Sequence, residues 1–215
     1  MAYIAHILSF TPISFEISEE HVEHTLQQAR FNMSNTALII IDVQNDYFEG
    51  GNWPVFEMQK AADNAAKLLE NARSSNETII HIRHEIPSDQ APFFRPGTVG
   101  AEIHTSVKLN DGEPVILKDR PNSFQGTSLQ VELKSADVSN VIICGAMSQM
   151  CVDATARAAA DFGYSVTVVE DACGAKEQEF NGIIVSAPEV HAAFMAPLAM
   201  SYATVVSTAG FLGNN

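Results

Sequence analysis

The sequence predicts an α/β fold: a three-layer, doubly wound sandwich around a six-stranded, mostly parallel sheet. Three observations lead there. Short runs of apolar, largely β-branched residues recur without polar alternation, as in strands buried on both faces. Between several of them lie stretches with apolar residues at helical spacing. The alternation of the two implies βαβ units with right-handed crossovers.

The first strand is Ala37-Leu38-Ile39-Ile40-Ile41, closed by Asp42. A helical stretch from Gln59 to Arg73 leads to Thr78-Ile79-Ile80-His81-Ile82-Arg83, and Pro114-Val115-Ile116-Leu117-Lys118 follows. Val141-Ile142-Ile143-Cys144-Gly145 precedes a helix from Cys151 to Phe162. Tyr164–Val169, a helix near Glu189–Met200, and Ala203–Ser207 complete the set. Residues 1–35 read as an amino-terminal extension with a helix start at Ser18, and 36–215 as the folded domain. Pro87–Gly100 is the longest irregular segment, and long loops in compact domains often serve function.

With 215 residues the chain suits one α/β domain that needs no staple. A net charge of −14 disfavours contact with phosphate backbones and anionic lipids, so neither nucleic acid nor membrane is an expected partner. The three cysteines, Cys144, Cys151 and Cys173, lack the spacing of a disulfide framework or a zinc knuckle. A reducing, cytoplasmic setting fits them. The apolar amino terminus has neither a basic start nor a small-residue cleavage pattern, so no signal peptide is expected.

In an open parallel sheet, ligands bind beyond the carboxyl ends of the strands. Asp42 closes the first strand, Lys118 the third, and Cys151 opens the helix after the fourth. Those residues suit acyl transfer. A thiol at a helix start feels the positive end of the dipole, which favours thiolate. A carboxylate beside it can take its proton and return it to a leaving amine. A lysine can hold that carboxylate in place. Cys144, inside an apolar strand, and Cys173, just past one, read as packing residues, and so does His191 within its helix.

Three motifs carry a family resemblance. Asp42-Val43-Gln44-Asn45-Asp46-Tyr47-Phe48-Glu49-Gly50-Gly51 resembles the first motif of the isochorismatase-like cysteine hydrolases, relatives of nicotinamidases and N-carbamoylsarcosine amidohydrolases. Lys118–Phe124 resembles their lysine motif, and Cys144–Val152 with Thr155-Ala156 their nucleophile motif. The three stand in family order, and the resemblance spans about residues 36–208. It implies a Rossmann-like fold and an Asp42–Lys118–Cys151 triad. It also implies an oxyanion hole from the N–H groups of Met147 and Cys151, and a cis peptide between Ala146 and Met147.

Ser148 and Gln149 depart from the Thr followed by His or Asp of many relatives, and bear on substrate identity. No metal and no cofactor are expected. Nicotinamidases carry an Asp-x-His pair after the second strand, whereas here it ends Arg83-His84-Glu85-Ile86-Pro87, and His104 lacks evident partners. Pocket walls expected from position are Gln44, Tyr47, Trp53, Arg83, His84, Phe94, Phe124 and Gln149. The function expected is hydrolysis of a small-molecule amide through a thioester, in a homo-oligomer (dimer or tetramer). Alternatives are an isochorismatase that cleaves a vinyl ether with Asp42 alone, and a catalytically silent binder.

Overall fold

The computed structural model describes residues 35–213. The helix expected from Ser18 lies outside them. Six strands form one sheet: β1 (Thr36–Ile41), β2 (Thr78–His84), β3 (Val115–Lys118), β4 (Asn140–Ala146), β5 (Ser165–Gly174) and, after a hairpin and a helix, β8 (Thr204–Val206). Their order is β3-β2-β1-β4-β5-β8. Every pairing is parallel, a step beyond the mostly parallel sheet the sequence predicts.

The central strands are apolar on both sides because both sides are covered. Along β1, Ala37, Ile39 and Ile41 enter one core and Leu38 and Ile40 the other, as the two-residue period of a strand demands. Helix α1 (Met58–Ser74) covers the second face. Its buried Ala62, Ala65, Leu69 and Ala72 recur at helical spacing, and small residues let it lie close to the sheet. The first face is covered by α2 (Leu129–Ser135), α3 (Asp153–Asp161) and α4 (Ala187–Ser201), through Leu133, Ala156, Ala159 and Leu198 among others. Each large aliphatic side chain so buried contributes roughly 1.5–3 kcal/mol. A capping box starts α4: Ser186 N–H and Oγ–H both donate to Glu189 Oε2, at 3.0 and 2.6 Å.

Among the elements not expected from the sequence are α2 and the exposed hairpin β6 (Gln178–Phe180) with β7 (Ile183–Val185). The strand order reverses between β1 and β4, the position at which a doubly wound sheet opens a crevice. Gly145 marks that junction. Its φ is +119°, and a Cβ there would collide with the carbonyl of Ile41, so only glycine lets β4 meet β1 this closely.

Candidate active site

Asp42 leaves β1 with φ of 50°, in the left-handed region, which costs a non-glycine residue about 1–2 kcal/mol. Aspartate tolerates it better than most, and hydrogen bonds hold it there. Its N–H donates to Ile82 O at 3.1 Å, and its carbonyl accepts from Gln44 N–H at 2.9 Å. Lys118 is the last residue of β3 and lies in register with His84 of β2. Its Nζ donates to Asp42 Oδ2 at 2.7 Å, both side chains being fully buried. Cys151 sits in a single π-helical turn, Ser148–Val152, between β4 and α3. The N–H groups of Met150 and Val152 both donate to Met147 O, and the Ala146–Met147 peptide bond is cis.

The sheet thus brings together the three residues that sequence placed on one rim. It adds His84, whose Nδ1 lies 3.1 Å from Lys118 Nζ, 3.8 Å from Asp42 Oδ2 and 3.9 Å from Cys151 Sγ. Burial alone would raise the Asp42 carboxyl, but the Lys118 ammonium and His84 outweigh it and hold the group below its ordinary range. For Lys118, burial acts to lower the pKa, and the charge of Asp42 outweighs it, leaving the ammonium more firmly protonated.

Cys151 differs from the sequence expectation of a thiolate. Burial first, and the Asp42 charge second, push its thiol up, and Lys118 offsets only part of this. The helix-dipole argument is weakened because α3 begins only at Asp153, two residues beyond the sulfur. The resting centre is therefore carboxylate, ammonium and neutral thiol. One oxygen of that carboxylate, Oδ1, is buried without a hydrogen-bond partner.

The expected pocket walls divide. Gln44 is fully buried and its amide is spent on the backbone: Nε2 donates to His84 O and Ala101 O, each at 2.8 Å, and Oε1 accepts from His84 N–H at 2.8 Å. It clamps His84 and is not free for a ligand, a correction to its place among the walls. Phe124 packs on Phe162 and Tyr164, with centroids 5.1 and 6.2 Å away. Arg83 Nη2 donates to Glu85 at 2.6 Å. Tyr47, Trp53 and Phe94 form one aromatic group through Phe93. Gln149 Nε2 donates to Lys176 O at 3.2 Å, while its buried Oε1 has no partner.

Sequence reasoning missed how His191 is used. Ser148 Oγ donates to Gly174 O at 3.1 Å, so His191 Nδ1, 2.8 Å away, is the donor to that oxygen. His191 Nε2 in turn faces Glu170 at 3.5 Å. This series of contacts ties the Ser148–Val152 turn to β5 and α4, and no spacing in the sequence announces it. Ser123 and Thr155, both within the quoted motifs, tie the lysine loop to α3: Ser123 N–H donates to Thr155 Oγ1 at 3.1 Å, and Thr155 Oγ1–H to Ser123 Oγ at 2.9 Å. His104 stacks on Phe48, and its Nδ1 accepts from Ser106 N–H at 3.2 Å.

With this geometry in place, the isochorismatase domain family matches residues 36–210. The chain belongs to the isochorismatase family. YddQ, an uncharacterized isochorismatase family protein of Bacillus subtilis, is 46% identical over 82% of this chain and 98% of its own length. A solved structure from Oleispira antarctica is 46% identical, with a TM-score of 0.81 over 83% of this chain and 96% of that one. The streptothricin hydrolase of Streptomyces noursei is 34% identical over 63% of this chain and 48% of its own length. Sequence resemblance and structural likeness therefore meet on one fold and one family of hydrolases.

Proposed function

We propose that the protein hydrolyses a small-molecule amide through a thioester on Cys151. Asp42 takes the Sγ–H proton as sulfur attacks the carbonyl carbon. The developing oxyanion is received by the N–H groups of Met147 and Cys151. As the C–N bond breaks, Asp42 passes its proton to the leaving nitrogen, and ammonia or an amine departs. Water then attacks the thioester and gives a proton to Asp42. The C–S bond breaks, sulfur recovers that proton, and a carboxylic acid leaves.

The observation that carries this reading is the buried Asp42 carboxylate, paired with Lys118 at 2.7 Å and converging with the Cys151 sulfur. Asp42 Oδ1 lacks a partner, and one ligand atom each from Asp42, His84 and Cys151 lie within 4.8 Å of one another. A carboxylate held ionised by Lys118 next to a thiol that burial keeps protonated is a base waiting for a proton. Vinyl ether cleavage would call on Asp42 and leave the thiol idle. The test is ammonia release across a panel of small amides, with Cys151→Ala beside the native protein. Turnover lost in the variant supports the thioester route, and turnover retained overturns it.

A further inference from the structure

We infer that Asp42, His84 and Cys151 also form a site for a thiophilic divalent cation, Zn2+ by donor chemistry, which shuts the centre by taking the place of the Lys118 ammonium. The inhibition rests on the proposed role of Cys151, but the binding does not. Lys118 Nζ is a cation that already sits among the donors such an ion would use. It lies 2.7 Å from Asp42 Oδ2 and 3.1 Å from His84 Nδ1, with the Cys151 side chain as a further hydrogen-bonding neighbour. An ammonium carries only donors, so in this contact His84 Nδ1 is the acceptor. Carboxylate oxygen, imidazole lone pair and sulfur therefore converge on one positive charge.

The spacing suits a metal. His84 Nδ1 is 3.8 Å from Asp42 Oδ2 and 3.9 Å from Cys151 Sγ, and one donor atom from each residue lies within 4.8 Å of the others. Tetrahedral zinc, with Zn–N near 2.0–2.1 Å and Zn–S near 2.3 Å, sets its ligand atoms roughly 3.3–3.6 Å apart. Closing that difference takes small side-chain shifts. Three protein ligands with water in the fourth position match the open zinc sites of enzymes, and thiolate with imidazole selects zinc over hard cations. The imidazole is held in place, because Gln44 grips the His84 backbone on both its N–H and its carbonyl. The His84 side chain keeps 12% of its surface exposed, a route for an ion. Among the described residues no second group of three such donors converges.

Binding balances as follows. Zn2+ forms bonds to Asp42 oxygen, His84 Nδ1 and Cys151 Sγ, the thiol proton passes to solvent, and the Lys118 ammonium swings out with its charge intact. No electron is transferred. Zinc here inhibits, which separates this site from a metal required for turnover.

The experiment is titration of the reduced, metal-free full chain with Co2+, which replaces zinc and reveals thiolate ligation by a charge-transfer band in the near ultraviolet. One equivalent is expected to bind and to be displaced by Zn2+. His84→Ala is expected to weaken binding at least about tenfold, the scale on which metal sites respond to lost support. Lys118→Met, which removes the competing charge, is expected to tighten it by a similar factor, and Cys151→Ser to abolish the band. If Lys118→Met fails to fold, the native and His84→Ala titrations decide alone. Equal affinity in native and His84→Ala proteins would reduce the site to a lone thiol and overturn the inference, as would absence of the band in the native protein. Cobalt binding without any amide turnover would sink the hydrolase reading and leave the metal site standing. Turnover without cobalt binding would do the reverse.

Discussion

Two ionic clusters that share strand β2 use the same chemistry for different ends. Each joins an acid, a base and a histidine of β2. In the first, Glu113 accepts from Arg73 Nε and Nη2 at 2.7 and 2.8 Å, and from Asn110 N–H at 2.9 Å, with His81 Nε2 3.2 Å away. Both of its oxygens are satisfied. In the second, Asp42 accepts from Lys118, lies near His84, and leaves Oδ1 without a partner. His81 and His84 are three residues apart on a strand, so they leave it on opposite faces. A carboxylate that has spent its hydrogen bonds can only hold structure. One that keeps an oxygen unspent beside a protonated thiol can react.

That contrast is sharpest under substitution. Asp42→Asn is expected to cut amide turnover by roughly a thousandfold or more, toward the upper range for loss of general acid–base catalysis. Glu113→Gln is expected to leave kcat within about twofold, because the group lies outside the reacting centre. Steady-state rates of the two variants side by side would break the comparison if Glu113→Gln proved as damaging as Asp42→Asn.

Stability should show the opposite ranking for Glu113. Burial would raise this carboxyl, but Arg73, Asn110 and His81 bring it down to about 2 from its ordinary 4.5. A folded-state pKa below the unfolded one gives stability that is present above 4.5 and lost as pH falls toward 2. After discounting for its partial exposure, Glu113→Gln should cost about 1–2 kcal/mol at neutral pH and almost nothing near pH 2. Urea unfolding of the native and variant proteins at both pH values checks this.

The reactive cluster has its own pH signature. Since burial and the Asp42 charge push the Cys151 thiol up, its alkylation by iodoacetamide should still be climbing between about pH 7 and 10. A plateau near neutrality would mean a thiolate and contradict the protonated thiol. Peptide mapping should nonetheless find Cys151 ahead of Cys144 and Cys173, because of the three thiols it is Cys151 that has the Lys118 ammonium beside it to offset burial. Substrate should protect it, and Lys118→Ala should slow labelling by removing the one charge that favours thiolate.

Smaller effects follow at the periphery. Turnover should be unchanged by exhaustive chelation, because β2 runs out into Arg83-His84-Glu85 with no Asp-x-His pair. Light scattering should give a mass above the 23.3 kDa of one chain. Phe180, Ile183 and Ile184 stand exposed on the β6–β7 hairpin, and a two-stranded hairpin alone is marginal in water.

The central strands and the convergence of Asp42, Lys118 and Cys151 were legible in the sequence for one physical reason. A parallel strand covered on both faces must be apolar throughout, so the polar residue that ends it stands out, as Asp42 does after Ile41 and Lys118 after Leu117. What needed the structure was register. His84 differs little from Arg83 in sequence, and only the pairing of β2 with β3 sets it opposite Lys118. Gln44 looked like a ligand contact because nothing in the sequence says that its amide is consumed by His84 and Ala101. The thiol pKa went the other way from the dipole argument because desolvation depends on tertiary burial. Helix α2 is only seven residues long, and β6 and β7 only three each, too short to show a readable period.

The central claim is that Cys151 forms a covalent bond with the acyl group while Asp42 moves the protons. Intact-protein mass spectrometry after rapid mixing with an amide that the native enzyme turns over tests it most directly. The expected result is a mass increase equal to the acyl group, mapped to Cys151 and absent in Cys151→Ala, which is also inactive. No adduct under any quench time, together with undiminished turnover in Cys151→Ala, would contradict the account.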